Sequence, residues 1–369
     1  MPEEKVPGVY VEEVSYRVRS IEGVSSTIVA LVGYCEIGPI EPTLVTSLTE
    51  FTSAFGGPAA GRYLAHAVKG FFDNGGTRCY ILRLADDLQT ATAGVTGSLA
   101  PLDALSNVSI VSCPDEQAVK GMTAALVEHC ERMRYRIAVL GASPDGDLSE
   151  GPPPEAQSSF AAYYAPWVLV ECESESKPVA GHPGGHVTGV LVANDVQRGI
   201  VKAAANQPIA GIVGLARKIT ATQQAALNLR GINILRSFAG RGFRVWGART
   251  TSSDPVWKYI NVRRYLIYLE HSIEQGLQWV VFEPNGEQLW ANVRNTIENF
   301  LQNEWLSGAL LGDSPNKAYF VRCDRTTMTQ DDVDNGRLVC LIGVAPMKPA
   351  EFVIFRIGQW TADATSPCP

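Results

Sequence analysis

The sequence predicts an α/β protein in which a mainly parallel sheet is followed by a smaller α+β unit and flanked by an extended strand at each end. Three features predict this. Apolar runs of strand length alternate with helical stripes from residue 21 to about 253, the pattern of repeated strand–helix–strand units with right-handed crossovers. Beyond Asp254 two longer helices and shorter strands take over. Residues 1–20 and 350–369 carry strand patterns outside both regions. The chain therefore reads as an N-terminal arm over 1–20, a body over 21–253, a C-terminal unit over 254–349 and a C-terminal arm over 350–369.

From Val14 the opening alternates, with Val14, Tyr16 and Val18 on one face and Ser15, Arg17 and Arg19 on the other. It is either an ordinary edge strand or a strand lent to another sheet. SSTIVALVGY reads as a buried strand, GPIEPT as a turn, and SLTEFTSAFGG as a short helix closed by Gly56 and Gly57. Tyr63, Leu64, Ala67, Val68, Phe71 and Phe72 recur at helical spacing until NGG stops them, and the strand TRCYILRL follows. Residues 86–100 read as a surface loop. NVSIVSCP is a strand, Ala118, Met122, Leu126 and Met133 form a helical stripe, and YRIAVLG is the next strand. A Pro- and Gly-rich loop then leads to the apolar YYAPWVLVE and, after another loop, to GHVTGVLVANDVQRGI.

In the C-terminal unit, Asp254 and Pro255 signal a helix running through Tyr265, Leu266, Leu269 and Ile273 to Gly276. LQWVVFE reads as a strand. Asn285, with Gln288 three residues on, reads as the cap of a second helix whose stripe is Leu289, Val293, Ile297, Phe300, Leu301 and Trp305. AYFVRCD and RLVCLIGVAP are strands, the second with Leu338, Cys340, Ile342 and Val344 on one face. Three short strands make a sheet with room at its edges.

The last run, EFVIFRIGQW, is apolar on almost both faces: Phe352 and Ile354, with Arg356, on one side, and Val353, Phe355 and Ile357 on the other. Such a strand needs cover on both sides. It either completes its own subunit's sheet or adds to a neighbour's. The connector before it, APMKPA, carries Pro346 and Pro349, which restrict φ and disfavour helix, so it reads as an extended hinge with little slack.

Composition narrows the function classes. Of 369 residues, 46% are hydrophobic and 19% charged, which suits a globular chain with a sizeable core, and no apolar run is long enough to span a bilayer. The net charge of −7, without basic clusters, argues against nucleic acid as a partner. The acidic opening MPEEKVPG has no apolar leader, so assembly in the cytoplasm is expected. The eight cysteines lack CxxC spacing and several sit in apolar strands, which marks them as small core residues rather than a disulfide or zinc framework.

No motif for chemistry emerges. GxSxG is absent, GASPDG is a turn, and GRGFRVWG lacks the third glycine and the helix that a phosphate cradle needs. HPGGH places His182 and His186 at a metal-like spacing but on glycines and a proline; His66, His129 and His271 stand singly on helices. Arg263 and Arg264 read as the solvated face of a helix. No enzyme activity, cofactor or metal is expected.

The motifs PGVYVEE, IVALVGYCEIGPIEPTLVTSLTEFTSAFGG, FFDNGGTRCYILRL, RGIVKAAANQPIAGIVGL, LNLRGINILRSFAGRGFRVWGARTTSSDPVWKYINVRR, FEPNGEQLWANVRNTIENFLQNEWLSGALLG and CDRTTMTQDDVDNGRLVCLIGVAPMKPAEFVIFRIGQ, in that order, resemble the tail sheath proteins of contractile phages and related injection systems. The resemblance implies a subtilisin-like but non-proteolytic α/β domain. It implies hexameric rings stacked into a helical sleeve around an inner tube, on a baseplate and under a terminator or cap, within a phage tail or a released injection particle. It also implies that both arms add strands to neighbours' C-terminal sheets. The modest length looks like the compact sheaths of injection particles. The helix from Glu287 to Trp305 matches the family's tube-proximal helix, yet Arg294 is its sole basic residue, so Arg263, Arg264 and Lys258 are expected to share the contact.

Overall fold

A computed structural model describes residues 20–59, 61–85, 94–172 and 176–352. Val14, Tyr16, Val18, Val353, Ile354, Phe355 and Ile357 lie outside the described residues.

The body is built as the alternation predicts. Strand β1 (Val29–Gly33) is buried on both faces, and β2 (Thr43–Val45), unmarked by any apolar run in the sequence, follows. Helix α1 (Leu48–Phe55) starts where the Ser47 hydroxyl accepts from the Glu50 N–H, and ends at Gly56 with φ +86°. Then come α2 (Leu64–Asp73), β3 (Cys79–Arg83), the single turn α3 (Gly94–Gly97), β4 (Ile110–Ser112), α4 (Met122–Met133), β5 (Ile137–Gly141) and β6 (Ala161–Ala165). YYAPWVLVE is divided at Pro166, because β7 (Val168–Val170) leaves the main sheet to pair with β8 (Val179–Gly181) and β9 (Gly214–Leu215). Helices α5 (Gly184–Arg198) and α6 (Ala221–Leu229) and the hairpin β10 (Ile232–Phe238) and β11 (Gly242–Trp246) complete the body.

The main sheet has the order β11-β10-β6-β5-β4-β1-β3-β2; its six inner strands are parallel and its two edges antiparallel. Side-chain alternation sends Val29 and Leu31 into a core shared with α1, α2 and α5, and Ala30 and Val32 into a second core shared with α4 and α6. Helices on both faces explain why these strands are continuous apolar runs. The closest helix contact is α2 on α5: a Cβ at Gly185 would collide with the Ala67 backbone, and one at Gly189 with the Phe71 carbonyl.

The C-terminal unit packs α7 (Ile260–Gly276) and α8 (Glu287–Leu306) with the turn α9 (Pro315–Ala318), β12 (Tyr319–Arg322), the short helix α10 (Gln330–Asp334) and β13 (Leu341–Val344). Its core holds Tyr265, Leu269, Leu289, Val293, Ile297, Phe300 and Val321, with Leu338, Cys340, Ile342 and Val344 packed against it. The face of α8 turned to solvent carries the amides Gln288, Asn292, Asn295, Asn299, Gln302 and Asn303, with Glu287 exposed at the start of the helix and Leu306 at its end.

Five expectations are corrected. LQWVVFE is no strand: Gln278–Val280 is one 3-10 turn, Val281 and Phe282 are exposed, and Phe282 has φ +69°. Apolar composition supplied the pattern, but the following Pro284-Asn285-Gly286 bends the chain between two helices before any ladder forms. Asn285 does not cap α8; its side chain accepts from Trp290 Nε1, and Gly286 holds the cap position. Asp254 caps only a 3-10 turn over Pro255–Trp257, and α7 begins after Tyr259 bridges to Arg249. The α4 stripe is Met122, Leu126 and Cys130, with Ala118 exposed ahead of the helix. Within 86–100, Leu99 is fully buried, held by the turns at Gly94–Gly97 and Ala100–Ala104.

The α2–α5 contact gives the first test. Gly185→Val should destabilise the protein by about 1–3 kcal/mol through overpacking, whereas Gly57→Ala, which meets open space, should stay within roughly 0.5 kcal/mol of the parent. Urea unfolding of both variants checks the difference.

Candidate assembly site at the roots of the two arms

The described chain ends are held to the body by two separate constructions. At the N-terminal root, Ile21 is buried in the C-terminal unit's core, so close to α7 that a Cβ at Gly276 would strike it. The Val24 N–H donates to Ser272 Oγ at 3.0 Å. Ser26 Oγ donates to Asp195 Oδ2 at 2.8 Å, while Arg264 Nη2 donates to the Ser26 carbonyl at 3.0 Å. Arg264 also grips Asp195 with two bonds of 3.0 and 2.6 Å, and the side chains are only 5% and 2% exposed.

At the C-terminal root, β13 runs on into a pinned segment. Ala345 donates to the Ala318 carbonyl and accepts from Leu311 N–H, each at 2.8 Å; Pro346 bridges to Leu310, and Met347 N–H donates to the Ala309 carbonyl at 3.3 Å. Pro346 is thus fixed, and the stretch free to act as a hinge is 348–350, around Pro349. Glu351 then locks to the body. Arg249 donates through Nε to Oε1 at 2.8 Å and through Nη2 to Oε2 at 2.7 Å. Asn228 Nδ2, Tyr259 OH and Lys258 Nζ add bonds of 2.8, 3.2 and 3.2 Å. Burial alone would raise this carboxyl, but the bonds from Arg249 and Asn228 and the guanidinium charge outweigh it and hold the group at about 2. Phe352, the next residue, is exposed.

The residues expected to touch a tube are placed unequally. Arg263 is 5% exposed, not solvated, with its guanidinium 3.7 Å from the Phe160 ring and 4.5 Å from that of Trp257. Arg264 is 4% exposed and committed to Asp195. Both therefore face their own subunit, because residues distant in sequence supply aromatic faces and a carboxylate. Lys258 is spent on Glu351. Arg294 is half-buried on α8, where its charge is felt at Cys323 and Asp324. Glu351, Arg249, Asn228 and Asp195 were missed in the sequence; the one available signal was a lone acid directly before an apolar run.

The crevice where a doubly wound sheet offers a ligand site, beyond the carboxyl ends of β1 and β4, is filled by the protein itself. Asp115 accepts from the Tyr34 and Tyr63 N–H groups, each at 2.9 Å. Glu116 accepts from Gly141 N–H at 2.6 Å and meets His182 Nε2 at 3.0 Å; both side chains are wholly buried. Because His182 Nδ1 accepts from Gly184 N–H, Nε2 carries the proton and donates to Glu116. The Ser112 hydroxyl is committed to the Val139 carbonyl, to which it donates at 2.7 Å. His186 packs against Gly70, and burial lowers it to about 4. His129 is likewise lowered to about 4 beside Arg136, and His271 stacks on Tyr135 at 4.4 Å. Among the described residues no group of three or more His, Cys, Asp or Glu is placed to hold a metal, and the seven described cysteines form no disulfide, five of them being buried.

The chain matches the sequence model of the phage tail sheath protein central domain over residues 92–251 and that of the phage tail sheath C-terminal domain over 252–359. The tail sheath protein of Vibrio phage KVP40 is 29% identical over 157 residues, 42% of this chain and 22% of that protein, so the chain spans about a fifth of that relative's length. A putative prophage major tail sheath protein of Pseudomonas aeruginosa strain UCBPP-PA14 is 24% identical over 288 residues, 73% of this chain and 71% of the relative. Among solved structures, the helical sheath of the anti-feeding prophage in its contracted state superposes with TM-score 0.83 at 31% identity, covering 96% of this chain and 99% of that one. The contracted PVC sheath complex, from an extracellular contractile injection system, gives TM-score 0.79 at 26% identity over 98% and 99% of the two chains.

The C-terminal root gives a pH-dependent prediction. A carboxyl depressed to about 2 contributes its stabilisation fully above the ordinary glutamate value of 4.5 and loses it as pH falls from there towards 2. Amide exchange over 345–352, corrected for intrinsic rates, should accelerate across that window. At pH 7, Glu351→Ala should accelerate amide exchange at Met347, Lys348 and Ala350 over the parent. Equal exchange in parent and variant would show that Glu351 does not hold the root.

Proposed function

Because the chain belongs to the contractile phage tail sheath family, we propose that it is a structural, non-enzymatic subunit of a contractile sleeve. It stacks as hexameric rings around an inner tube, between a baseplate and a terminator or cap, and shortens to drive the tube through a target envelope. The observation that carries this reading is the correspondence, over almost the whole of both chains, with a sheath captured in its contracted state. Coverage of 99% of the anti-feeding prophage and PVC sheath chains, against 22% of the KVP40 protein, favours a compact injection particle, assembled in the bacterial cytoplasm and released, over a large phage tail. The division at 254 and a subtilisin-like kinship of the body belong to the same proposal, the latter supported by six parallel strands covered by helices on both faces.

In this reading the arms, residues 1–20 and 350–362, are exchanged between subunits. Val14, Tyr16 and Val18 on one arm, and Phe352 to Phe355 with Ile357 on the other, add strands to neighbouring C-terminal sheets. The two-stranded β12–β13 sheet supports this, since an isolated pair is only marginally stable and has edges to offer. Each added strand hydrogen bond contributes about 0.5–1.5 kcal/mol net, and each buried apolar side chain roughly 1.5–3 kcal/mol. Such links persist while the bodies rotate, and contraction runs downhill towards greater burial between subunits without a nucleotide.

Truncation after Phe352 retains the Glu351 clasp and removes only the exchanged strand. The variant should stay monomeric and folded, with parent-like thermal unfolding, but form neither rings nor tubes in electron micrographs. Loss of folding would instead make the strand part of its own subunit's core.

Contact with the tube runs along the exposed face of α8, beside which the half-buried Arg294 is the helix's one basic residue. Charge reversal, Arg294→Glu, should weaken co-assembly with tube at low salt and matter less at high salt, where exposed charges are screened. Co-assembly unchanged at low salt would assign the contact to the amides of that face.

A further inference from the structure

We propose that Cys323 and Cys340 form an oxidative modification site, a cross-strand dithiol that a low-molecular-weight disulfide converts into an intramolecular disulfide closing the loop 324–339. The argument begins with register. Strands β12 and β13 pair antiparallel as Tyr319↔Val344, Phe320↔Gly343, Val321↔Ile342 and Arg322↔Leu341. One step further sets Cys323 opposite Cys340. Both point to the same face as Val321 and Ile342, towards the core under α8, where Cys323 is buried and Cys340 half-buried.

Pair type decides whether two opposed cysteines can be joined. The bond from Ala345 N–H to the Ala318 carbonyl marks 318/345 as a hydrogen-bonded pair. Alternation then makes 320/343 and 322/341 hydrogen-bonded, and 319/344, 321/342 and 323/340 non-hydrogen-bonded. In the latter class the Cα atoms stand about 4.5 Å apart with side chains close, within the span a disulfide accepts. The thiols already meet: the Cys340 S–H donates to Cys323, which, helped by the Arg294 charge, holds Cys323 below its ordinary value and raises Cys340.

The exchange balances as two displacements. Cys340, half-buried where Cys323 is buried, passes its proton to the Cys323 thiolate as it attacks one sulfur of the oxidant; the oxidant's S–S bond breaks, and the thiolate that leaves takes up that proton from Cys323. The Cys323 thiolate then attacks Cys340 Sγ, forming the internal bond and expelling the second thiolate. Two protein thiols are oxidised and one disulfide is reduced to two thiols. The product ties β13, which continues into the root of the C-terminal arm, covalently to β12.

The test uses the full chain and oxidised glutathione, followed by alkylation of remaining thiols, digestion and mass spectrometry. Two of the eight cysteines should become unavailable, recovered as one peptide pair joined through Cys323 and Cys340 and released by reductant. Amide exchange at Arg322 and Leu341, the hydrogen-bonded pair next to the cysteines, should slow by roughly tenfold or more. A glutathione adduct that persists on Cys340, a bond between other cysteines, retention of all thiols, or unchanged exchange in the cross-linked protein would each overturn the proposal. Cys340→Ser, changed at a half-buried position, should abolish the internal bond and leave Cys323 free.

Discussion

The buried pairing of Arg264 with Asp195 is the contact on which the joining of the molecule's parts depends. It brings together α5 of the body, α7 of the C-terminal unit and the backbone at Ser26, three segments that sequence alone keeps far apart. Two nearly dry charges are costly to bring together, and removing one partner leaves the other stranded at about 3–5 kcal/mol. Against a total stability on the order of 5–15 kcal/mol, that is enough to forbid arrangements in which any of the three drifts away. The pair specifies a geometry more than it adds net stability. It fixes where the chain enters the body.

The two roots solve the same problem with different chemistry. At the N-terminal side Ile21 and a sequestered ion pair make a dry joint, with the Gly276 and Gly23 backbones pressed against Ile21 and Tyr268. At the C-terminal side Glu351 keeps 19% of its side chain exposed and gathers Arg249, Lys258, Asn228 and Tyr259 around it. The wetter joint responds to solution conditions, and the drier one does not. Between them the pinned segment from Ala345 to Met347 confines bending to residues 348–350.

The parallel sheet was legible because strands covered on both faces leave unbroken apolar runs, as in β1 and β5, and because Ser47 and Gly56 punctuate α1 in the expected way. The stripe of α8 was legible for the same reason. What failed were inferences needing a partner that sequence does not name. Val280, Val281 and Phe282 have strand composition, yet no strand lies beside them and Phe282 takes φ +69°. Arg263 and Arg264 look like surface residues until Phe160 and Asp195, 103 and 69 positions away in the chain, are brought against them, with the nearby Trp257 closing over Arg263. The clasp at Glu351 was not readable either, because a carboxylate's partners are set by folding rather than by spacing.

The solvent face of α8 has a mechanical consequence. Gln288, Asn292, Asn295, Asn299, Gln302 and Asn303 each present a donor and an acceptor and no net charge. A partner surface shifted by one helical turn therefore meets nearly the same array it left. The interaction landscape along the helix is a row of shallow, closely spaced minima, where a line of ion pairs would give one deep well and a large barrier to leaving it. For a sleeve of the proposed kind, grip and release along such a face differ by little energy at each step, so friction stays low as one cylinder travels past the other.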